Sequence, residues 1–307
     1  MKLYNSVLDL IGNTPIVKLN KLPDQNGAEV YIKLESFNPG GSVKDRASIN
    51  MIERAEAEGK LIPGKSTVIE PTSGNTGIGI AMVCAVKGYR CIITMPDNAT
   101  LERVKILKAY GAEVHLTPAN RRMQGSIDKA IEMAETIPDT FIPMQFENQA
   151  NSDAHRNTTA VEILEAFEGK LDALVLTAGT GGTVTGVGEE LKKQIPDLKI
   201  YVVEPAGSPV LSGGEPGPHK IPGTGPGFIP KILNQEIYDE ILHIKDEDAQ
   251  VMARSLAAKE GIFIGASGAS SAHFAIEIAK SLPTSGRVLC LAPDTGERYL
   301  SSDLFPG

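Results

Sequence analysis

The sequence has no tryptophan and only three cysteines among 307 residues. Cys84, Cys91 and Cys290 form no C-x-x-C pair and leave an odd one over, which argues against a disulfide framework or a cysteine-based metal site. Each cysteine lies in an apolar run, so we expect three small buried side chains. Reduced thiols suit the cytoplasm, and we expect the protein to act there.

Long hydrophobic runs and an excess of positive charge are also missing. No stretch approaches the roughly 20 apolar residues that a membrane span needs, and the opening M-K-L-Y-N-S-V-L-D-L lacks the apolar core of a signal peptide. The net charge is -8 at pH 7. Because phosphate binding needs a basic surface, nucleic acid is disfavoured as a partner, and no membrane partner is expected either.

What the sequence does contain is an alternation of short β-branched runs with amphipathic segments, such as 100–110 and 123–136. This pattern predicts α/β units with mostly parallel sheets. A Gly- and Pro-rich stretch at 204–230 breaks the rhythm and is typical of a functional loop. Residues 143–151 are the best candidate for a passage between domains. The predicted strands are 29–34, 66–70, 91–95, 113–117, 140–144, 173–177, 200–203, 241–244 and 287–291.

The first chemically suggestive loop is N-P-G-G-S-V-K-D-R, residues 38–46. Its Pro and Gly residues predict a turn, and Ser42 is expected to cap a helix that starts near Val43. Lys44 then lies in the first helical turn, where the helix dipole disfavours a cation. Two interpretations stay open: a solvated surface lysine, which is the ordinary case, or an amine that forms a Schiff base.

A second loop, E-P-T-S-G-N-T-G at 70–77, joins a predicted strand to an apolar helix. Hydroxyl groups and backbone N–H groups at a helix start form a natural anion site. An ordinary capped turn explains the same residues equally well.

The third loop, G-T-G-G-T at 179–183, lacks the G-x-G-x-x-G spacing, and G-x-x-x-x-G-K-[ST] occurs nowhere. A dinucleotide or P-loop site is therefore a weak interpretation, and a single phosphate fits better. Together the three loops offer an amine and two anion sites. A cofactor aldehyde with one phosphate would use the amine and one anion site, and a substrate carboxylate would use the other.

These loops resemble the cysteine synthase (O-acetylserine sulfhydrylase) family of fold-type II pyridoxal-phosphate enzymes. The resemblance covers essentially the whole chain, from L-I-G-N-T-P-I-V-K-L-N at 10–20 to G-E-R-Y-L-S at 296–301. It implies an α/β fold of two domains, each a mostly parallel twisted sheet flanked by helices, as in the tryptophan synthase β-like fold. The smaller, mobile domain would be 36–149. The larger, cofactor-phosphate domain would combine 1–35 and 150–307.

The resemblance also implies pyridoxal 5'-phosphate as the cofactor, no metal, and the replacement of the acetate of O-acetylserine by sulfide to give cysteine. Lys44 would carry the Schiff base and move the proton at Cα. A neutral hydroxyl at the pyridine nitrogen leaves a weaker electron sink, which suits β-elimination. The cofactor would contact Asn75 at its ring hydroxyl, Ser267 at its ring nitrogen, and Gly179, Thr180, Gly181, Gly182 and Thr183 at its phosphate. The substrate carboxylate would contact Thr72, Ser73, Gly74, Thr76 and Gln145.

The sequence departs from the family pattern in three places that matter for the site. Residues 265–271 read G-A-S-G-A-S-S where G-I-S-S-G-A-A is usual, and 221–228 read I-P-G-T-G-P-G-F, which is stiffer by two prolines. Asn120, Arg121 and Arg122 replace a glycine-containing stretch before Met123. The two arginines are either solvated charges or a means of pairing with a second anionic group on a substrate.

Several functional alternatives remain open. The acceptor could be homocysteine, with serine or O-acetylserine as the donor, or sulfide could react with O-phosphoserine. A non-catalytic regulatory binding protein on the same scaffold is a further alternative, although retention of Lys44 argues against it. By resemblance we also expect a homodimer, and the C-terminal tail of serine acetyltransferase is a candidate partner.

Overall fold

The structure is a computed structural model that describes residues 3–305. The chain divides into two compact units. Unit 1 comprises the residues up to Ile11 together with Asn38–Asn151, and unit 2 comprises Gly12–Phe37 and the residues from Ser152 onward.

Ten strands lie within the described residues. In chain order they are β1 (Ile16–Lys18), β2 (Glu29–Leu34), β3 (Thr67–Pro71), β4 (Arg90–Pro96), β5 (Glu113–Thr117), β6 (Thr140–Phe141), β7 (Ala173–Thr177), β8 (Lys199–Pro205), β9 (Glu240–Ile244) and β10 (Arg287–Ala292).

The α-helices of residues 3–305 follow the same chain order. They are α1 (Lys44–Ala57), α2 (Asn75–Lys87), α3 (Leu101–Ala109), α4 (Arg122–Thr136), α5 (Gln149–Ala154), α6 (Ala160–Phe167), α7 (Gly182–Gln194), α8 (Asp246–Ser255) and α9 (Ala266–Ala279). Single-turn π segments, His155–Thr159 and Leu256–Glu260, follow α5 and α8.

Each unit is built on one sheet. The unit 1 sheet has the order β5-β4-β3-β6, and all of its pairs are parallel. The unit 2 sheet has the order β1-β2-β10-β7-β8-β9 and is parallel except for the β1–β2 pair. Helices connect and flank these strands, because parallel neighbours need crossover connections. The predicted α/β fold class is confirmed.

In unit 1 both faces of the sheet are covered. Successive strand residues point to opposite faces, so Val68 and Ile93 pack with α2, whereas Ile69 and Ile92 pack with Ala130 of α4. The strands are therefore apolar on both sides, as expected for a buried parallel sheet.

In unit 2 the small residues of α8 and α9 pack on one face of the sheet. Ala269 and Ala272 of α9 share a core with Val175 of β7 and Cys290 of β10. Alanine and glycine on α9 allow the helix to approach the strands closely. At Gly268 a Cβ atom would lie 3.0 Å from the Cα atom of Ala292.

The structure corrects the predicted strand at 140–144, which extends only over Thr140–Phe141. Pro143 has no N–H to donate to a sheet, and Met144 has a φ of +56°, which ends the extended backbone. The prediction also missed β1, because three residues with mostly exposed side chains are too few to show a periodicity.

The three cysteines are free and buried, as predicted. Burial raises the pKa of the Cys290 thiol well above its ordinary value, which makes this sulfur unreactive. None of the helices within residues 3–305 combines the length and the apolar character needed to traverse a bilayer. In the same part of the chain no group of His, Cys, Asp or Glu side chains is arranged to hold a metal ion.

Candidate active site

Lys44 is the first residue of α1 and its side chain is half-buried. The turn before it contains Gly41 at a φ of +78°, a conformation that favours glycine. The buried carboxylate of Asp45 accepts a hydrogen bond from the N–H of Gly40 at 2.6 Å. Ser42 lies two residues before the helix, and its Oγ accepts from the N–H of Lys44 at 3.3 Å. The helix thus starts one residue later than predicted, with Ser42 still bonded to its first amide.

The loop between β3 and α2 carries the predicted carboxylate site. Gly74 precedes α2 in an extended conformation, and its N–H donates to Thr72 Oγ1 at 3.2 Å. The N–H of Thr72 donates to the carbonyl of Thr94 at 3.0 Å, which ties the loop to the neighbouring strand β4. Asn75 is the first residue of α2. Hydroxyl groups are therefore held next to the positive end of a helix.

Thr76 and Gln145, which are 69 residues apart in sequence, lie together. Thr76 Oγ1 donates to Gln145 Oε1 at 2.6 Å. Both are almost fully buried, with exposures of 3% and 6%. The side-chain amide of Asn151 donates to the backbone carbonyl of Gln145 at 2.8 Å. Within unit 1 the structure therefore brings together Thr76 and Gln145, two of the residues that the family resemblance assigns to the substrate carboxylate.

The carbonyl and the hydroxyl of Ser73 each contact a side chain from another helix of unit 1. Arg103 of α3 donates from Nη1 to the carbonyl of Ser73 at 2.9 Å. The hydroxyl of Ser73 lies 3.8 Å from the sulfur of Met123, at the start of α4. Sequence reasoning missed Arg103, since nothing in L-E-R-V-K-I-L-K-A distinguishes it from other helix-surface charges.

Glu70 was also missed, although an acid in the apolar strand T-V-I-E-P is an unusual signal. Its side chain is 1% exposed, and burial raises its pKa to about 8, against the lowering effect of hydrogen bonds from Met144 and Gln145. The distance from the N–H of Met144 to Glu70 Oε2 is 3.3 Å. Gln145 is thus bonded to Thr76 and to Glu70.

In unit 2 the loop between β7 and α7 carries the predicted phosphate site. Gly181 precedes α7 with a φ of +83°, and Gly182 is the first residue of the helix. The N–H of Gly182 donates to Thr180 Oγ1 at 3.3 Å. A Cβ atom at Gly179 would lie 2.2 Å from the carbonyl oxygen of Gly223, so only glycine fits there.

Thr183 is held by a histidine that the sequence analysis missed. His155 is 1% exposed, and its Nε2 lies 3.2 Å from Thr183 Oγ1. Its Nδ1 lies 2.9 Å from Thr159 Oγ1 within the same π segment. No local sequence pattern pointed to His155, because its partner is 28 residues away.

The departures from the family pattern in unit 2 fall next to these residues. The N–H of Gly225, within the proline-containing 221–228 segment, donates to the carbonyl of Ala178 at 3.1 Å. Ser267 is the second residue of α9 and is 5% exposed. The neighbouring Gly268 lies against β10, where a larger residue would need the backbone to move.

Arg121 and Arg122 differ from each other. Both side chains are exposed. Arg121 donates to Asp128 at 2.7 Å and has an ordinary helical backbone. Arg122 has a φ of +50° and a ψ of -148°, which is costly for a residue with a Cβ atom. It directly precedes Met123, which contacts Ser73.

The Gly179 loop of unit 2 and the starts of α1 and α2 in unit 1 carry residues that fit the groups of pyridoxal 5'-phosphate. At the Gly179 loop, close backbone contacts, two threonine hydroxyls and the N–H groups of a helix start match one phosphate. In unit 1, Lys44 supplies a primary amine, and Asn75 supplies a side chain that bonds to hydroxyls.

Comparisons with known proteins agree with these features. The family model described as pyridoxal-phosphate dependent enzyme matches residues 7–294. The chain therefore belongs to the pyridoxal-phosphate-dependent enzyme family.

A probable cysteine synthase of Bacillus subtilis (strain 168) is 59% identical over 99% of both chains. Within its family the chain therefore belongs to the cysteine synthases. The crystal structure of a cysteine synthase from Entamoeba histolytica aligns with a TM-score of 0.94 at 41% identity, covering 99% of this chain and 91% of that one. The crystal structure of O-ureido-L-serine synthase aligns with a TM-score of 0.96 at 44% identity, covering 100% and 96%.

Proposed function

We propose that the protein is a cysteine synthase that replaces the acetate of O-acetyl-L-serine with sulfide. The observation that carries the proposal is the hydroxyl-rich Thr72–Thr76 loop with Gln145 hydrogen-bonded to it, in a chain whose full-length relatives are named cysteine synthases. This loop supplies donors for an amino-acid carboxylate next to a helix start.

The resemblance assigns each group of the cofactor to particular residues. Lys44 would bind its aldehyde carbon and Asn75 its ring hydroxyl. The Gly179–Thr183 loop would bind its phosphate, and Ser267 its ring nitrogen. When bound, pyridoxal 5'-phosphate withdraws electrons from the substrate Cα, which weakens the Cα–H bond and favours departure of the β-substituent.

Lys44 would act as the general base and acid at Cα. Its amine removes the Cα proton as acetate leaves Cβ, and returns a proton to the same carbon after sulfide has added to Cβ. Lys44 is the first residue of α1, where the helix dipole is unfavourable to a positive charge.

Thr72, Ser73, Gly74, Thr76 and Gln145 would bind the substrate carboxylate through hydroxyl, amide and backbone donors. Fixing the carboxylate orients the Cα–H bond toward the base, which is how binding energy accelerates a proton transfer. The contact from Arg103 to the Ser73 carbonyl keeps the loop in one shape.

A second candidate function is the use of an acceptor with its own carboxylate, such as homocysteine. The observation that favours it is Arg122, which is exposed and held at a costly φ next to Met123. A guanidinium at that position would pair with a second anionic group, which sulfide does not have.

Three further proposals follow from the resemblance: the domain division at 36–149, a homodimer, and binding of the serine acetyltransferase tail. A cytoplasmic location is a fourth proposal, and it follows from the reduced thiols. The remaining alternative, a non-catalytic binding protein, predicts bound cofactor whose absorbance does not change when O-acetylserine is added.

The test is a steady-state comparison with the purified holoenzyme. Sulfide and homocysteine are offered as acceptors with O-acetylserine, O-phosphoserine and serine as donors. We expect kcat/KM to be highest for O-acetylserine with sulfide. A preference for homocysteine that is lost in Arg122→Ala but kept in Arg121→Ala would instead establish the second candidate. No turnover with any pair would overturn the enzyme proposal.

A further inference from the structure

Glu70 is a buried carboxyl group in unit 1 to which the proposed reaction gives no role. It is the penultimate residue of β3 and lies two residues before Thr72. A carboxyl group that is 1% exposed is costly unless its neighbours bind it. The hydrogen-bond partners of this carboxyl group therefore indicate its role.

Within residues 3–305, two consecutive residues donate the hydrogen bonds that the Glu70 carboxyl group accepts. The N–H of Met144 donates to Oε2 at 3.3 Å, and both the backbone and the side chain of Gln145 also bond to the carboxyl group. The side-chain bond comes from Gln145 Nε2, since the amide nitrogen is the only donor on that side chain. Met144 has a φ of +56°, so the chain accepts an unfavourable backbone in the turn that presents these N–H groups.

The other end of the same amide is also fixed. Gln145 Oε1 accepts the hydroxyl proton of Thr76 at 2.6 Å. With Thr76 at the oxygen and Glu70 at the nitrogen, the amide has one orientation. One of the two N–H groups on Nε2 bonds to Glu70, and the second is left for another acceptor.

We propose that Glu70 is a positioning residue, which holds the Gln145 amide so that its second N–H is available to the carboxylate of the amino-acid donor. The inference rests on the proposed function for the identity of that donor. Glu70 does not itself touch the substrate. It acts through Gln145 alone.

A double-mutant cycle on the holoenzyme tests this dependence. The assays are run above pH 8, where the wild-type carboxyl group is ionised. Glu70→Gln keeps the size of the side chain but replaces one acceptor oxygen with an N–H₂ group where N–H donors already point. We expect the KM for O-acetylserine to rise about tenfold, which is the usual effect of losing one hydrogen bond to a charged group, here the bond from the Gln145 amide to the substrate carboxylate. The KM for sulfide and the cofactor content should not change.

Gln145→Ala should raise the same KM, and Glu70→Gln should add nothing further in the Gln145→Ala background. Effects that multiply, or an unchanged KM in Glu70→Gln, would overturn the proposal.

Glu204→Gln is the matched control. Glu204 is the penultimate residue of β8, is 3% exposed, and accepts the N–H groups of Leu211 and Ser212 at 2.9 and 3.1 Å in unit 2. Any effect of Glu204→Gln should multiply with that of Gln145→Ala. If Glu204→Gln raised the KM for O-acetylserine and this rise also vanished in the Gln145→Ala background, the assignment to Glu70 would be wrong.

A second measurement needs no substrate and separates this inference from the proposed function. Hydrogen exchange of the Met144 and Gln145 amides should be faster in Glu70→Gln than in the wild-type protein. Unchanged exchange would overturn the positioning role, whatever the enzyme turns over. The wild-type rate with O-acetylserine and sulfide tests the proposed function by itself. If Glu70→Gln does not fold, Glu70→Asp, which withdraws the carboxyl group by one carbon, should give the same changes in KM and exchange, and its failure to do so would overturn the role.

Discussion

The Thr72–Thr76 loop of unit 1 and the Gly179–Thr183 loop of unit 2 have the same position between a strand and a helix but differ in the contacts that fix their conformation. Each follows a buried parallel strand and precedes a helix. In the first loop the contacts are made by side chains, as between Thr76 and Gln145. In the second, backbone groups approach so closely at Gly179 that no side chain fits.

The difference indicates two kinds of recognition. A phosphate is bound well by backbone N–H groups at a helix start, and the same arrangement serves any phosphate. A loop shaped by distant side chains, such as Arg103 and Gln145, presents donors in one fixed pattern and so suits one kind of carboxylate. Substrate choice is therefore expected to depend on the loop of unit 1, and binding of the cofactor phosphate on the loop of unit 2.

Removing the amine of Lys44 should have the largest effect. Lys44→Ala is expected to keep the fold and to lower kcat for O-acetylserine and sulfide by about 10³-fold or more, since general acid–base catalysis alone contributes about 10²–10⁴-fold. Lys65→Ala, which removes an exposed lysine of the same unit, is the control and should stay near wild type. Near-normal turnover in Lys44→Ala would end the assignment.

One added methyl group in each loop tests the comparison directly. Gly179→Ala should cost about 1–3 kcal/mol of stability, as overpacking does, and should lower cofactor content, measured by absorbance. Gly74→Ala should leave both nearly unchanged, because a Cβ atom there would lie no closer than 3.9 Å to its neighbours, the nearest being Thr72 Oγ1, and the φ of Gly74 is -114°. Equal cofactor loss in both variants would contradict the proposed difference between the two loops.

The buried carboxyl group behind the unit 1 loop predicts a pH dependence of stability. Because the pKa of Glu70 is raised from 4.5 to about 8, the folded state keeps a proton that the unfolded state loses between these values. The free energy of unfolding should therefore fall as pH rises through this window, by up to about 1.4 kcal/mol per unit. Denaturant titrations of wild type and Glu70→Gln should differ in this slope. Parallel curves would contradict it.

The smallest effect is expected at the two arginines. Arg122→Gly relieves a φ of +50° and should raise stability by up to about 1 kcal/mol. Arg121→Gly, at a φ of -85°, should lower it by about 1 kcal/mol, because glycine in an ordinary helical conformation adds unfolded-state freedom and the exposed bond to Asp128 is lost. Thermal unfolding measures both, and destabilisation by Arg122→Gly would mean that its backbone is not strained.

The sequence predicted those strands and loops whose conformation is determined by residues adjacent in the chain. Alternating patterns located the strands, and the loops at 70–77 and 179–183 were found from their Gly, Thr and Ser residues. The strand predicted at 140–144 is shorter in the structure because of Pro143 and the left-handed backbone of Met144. The prediction was wrong there because a run of apolar residues does not show where the backbone leaves the extended conformation.

Contacts between distant residues could not be predicted in the same way. Glu70 meets Gln145, and His155 meets Thr183, only because the folded units bring them together. An acid in an apolar strand and a histidine in a helix are visible in the sequence, but their partners are not. Such side chains hold the candidate site in shape.

The most direct test of the account is to locate the cofactor on the chain. Borohydride reduction of the holoenzyme fixes pyridoxal 5'-phosphate to the amine that binds it, and peptide mass spectrometry identifies that amine. We predict that the peptide containing Lys44 carries the added mass, and that O-acetylserine added before the borohydride lowers this labelling. Labelling of another lysine, or labelling of Lys44 that O-acetylserine does not change, would contradict the account.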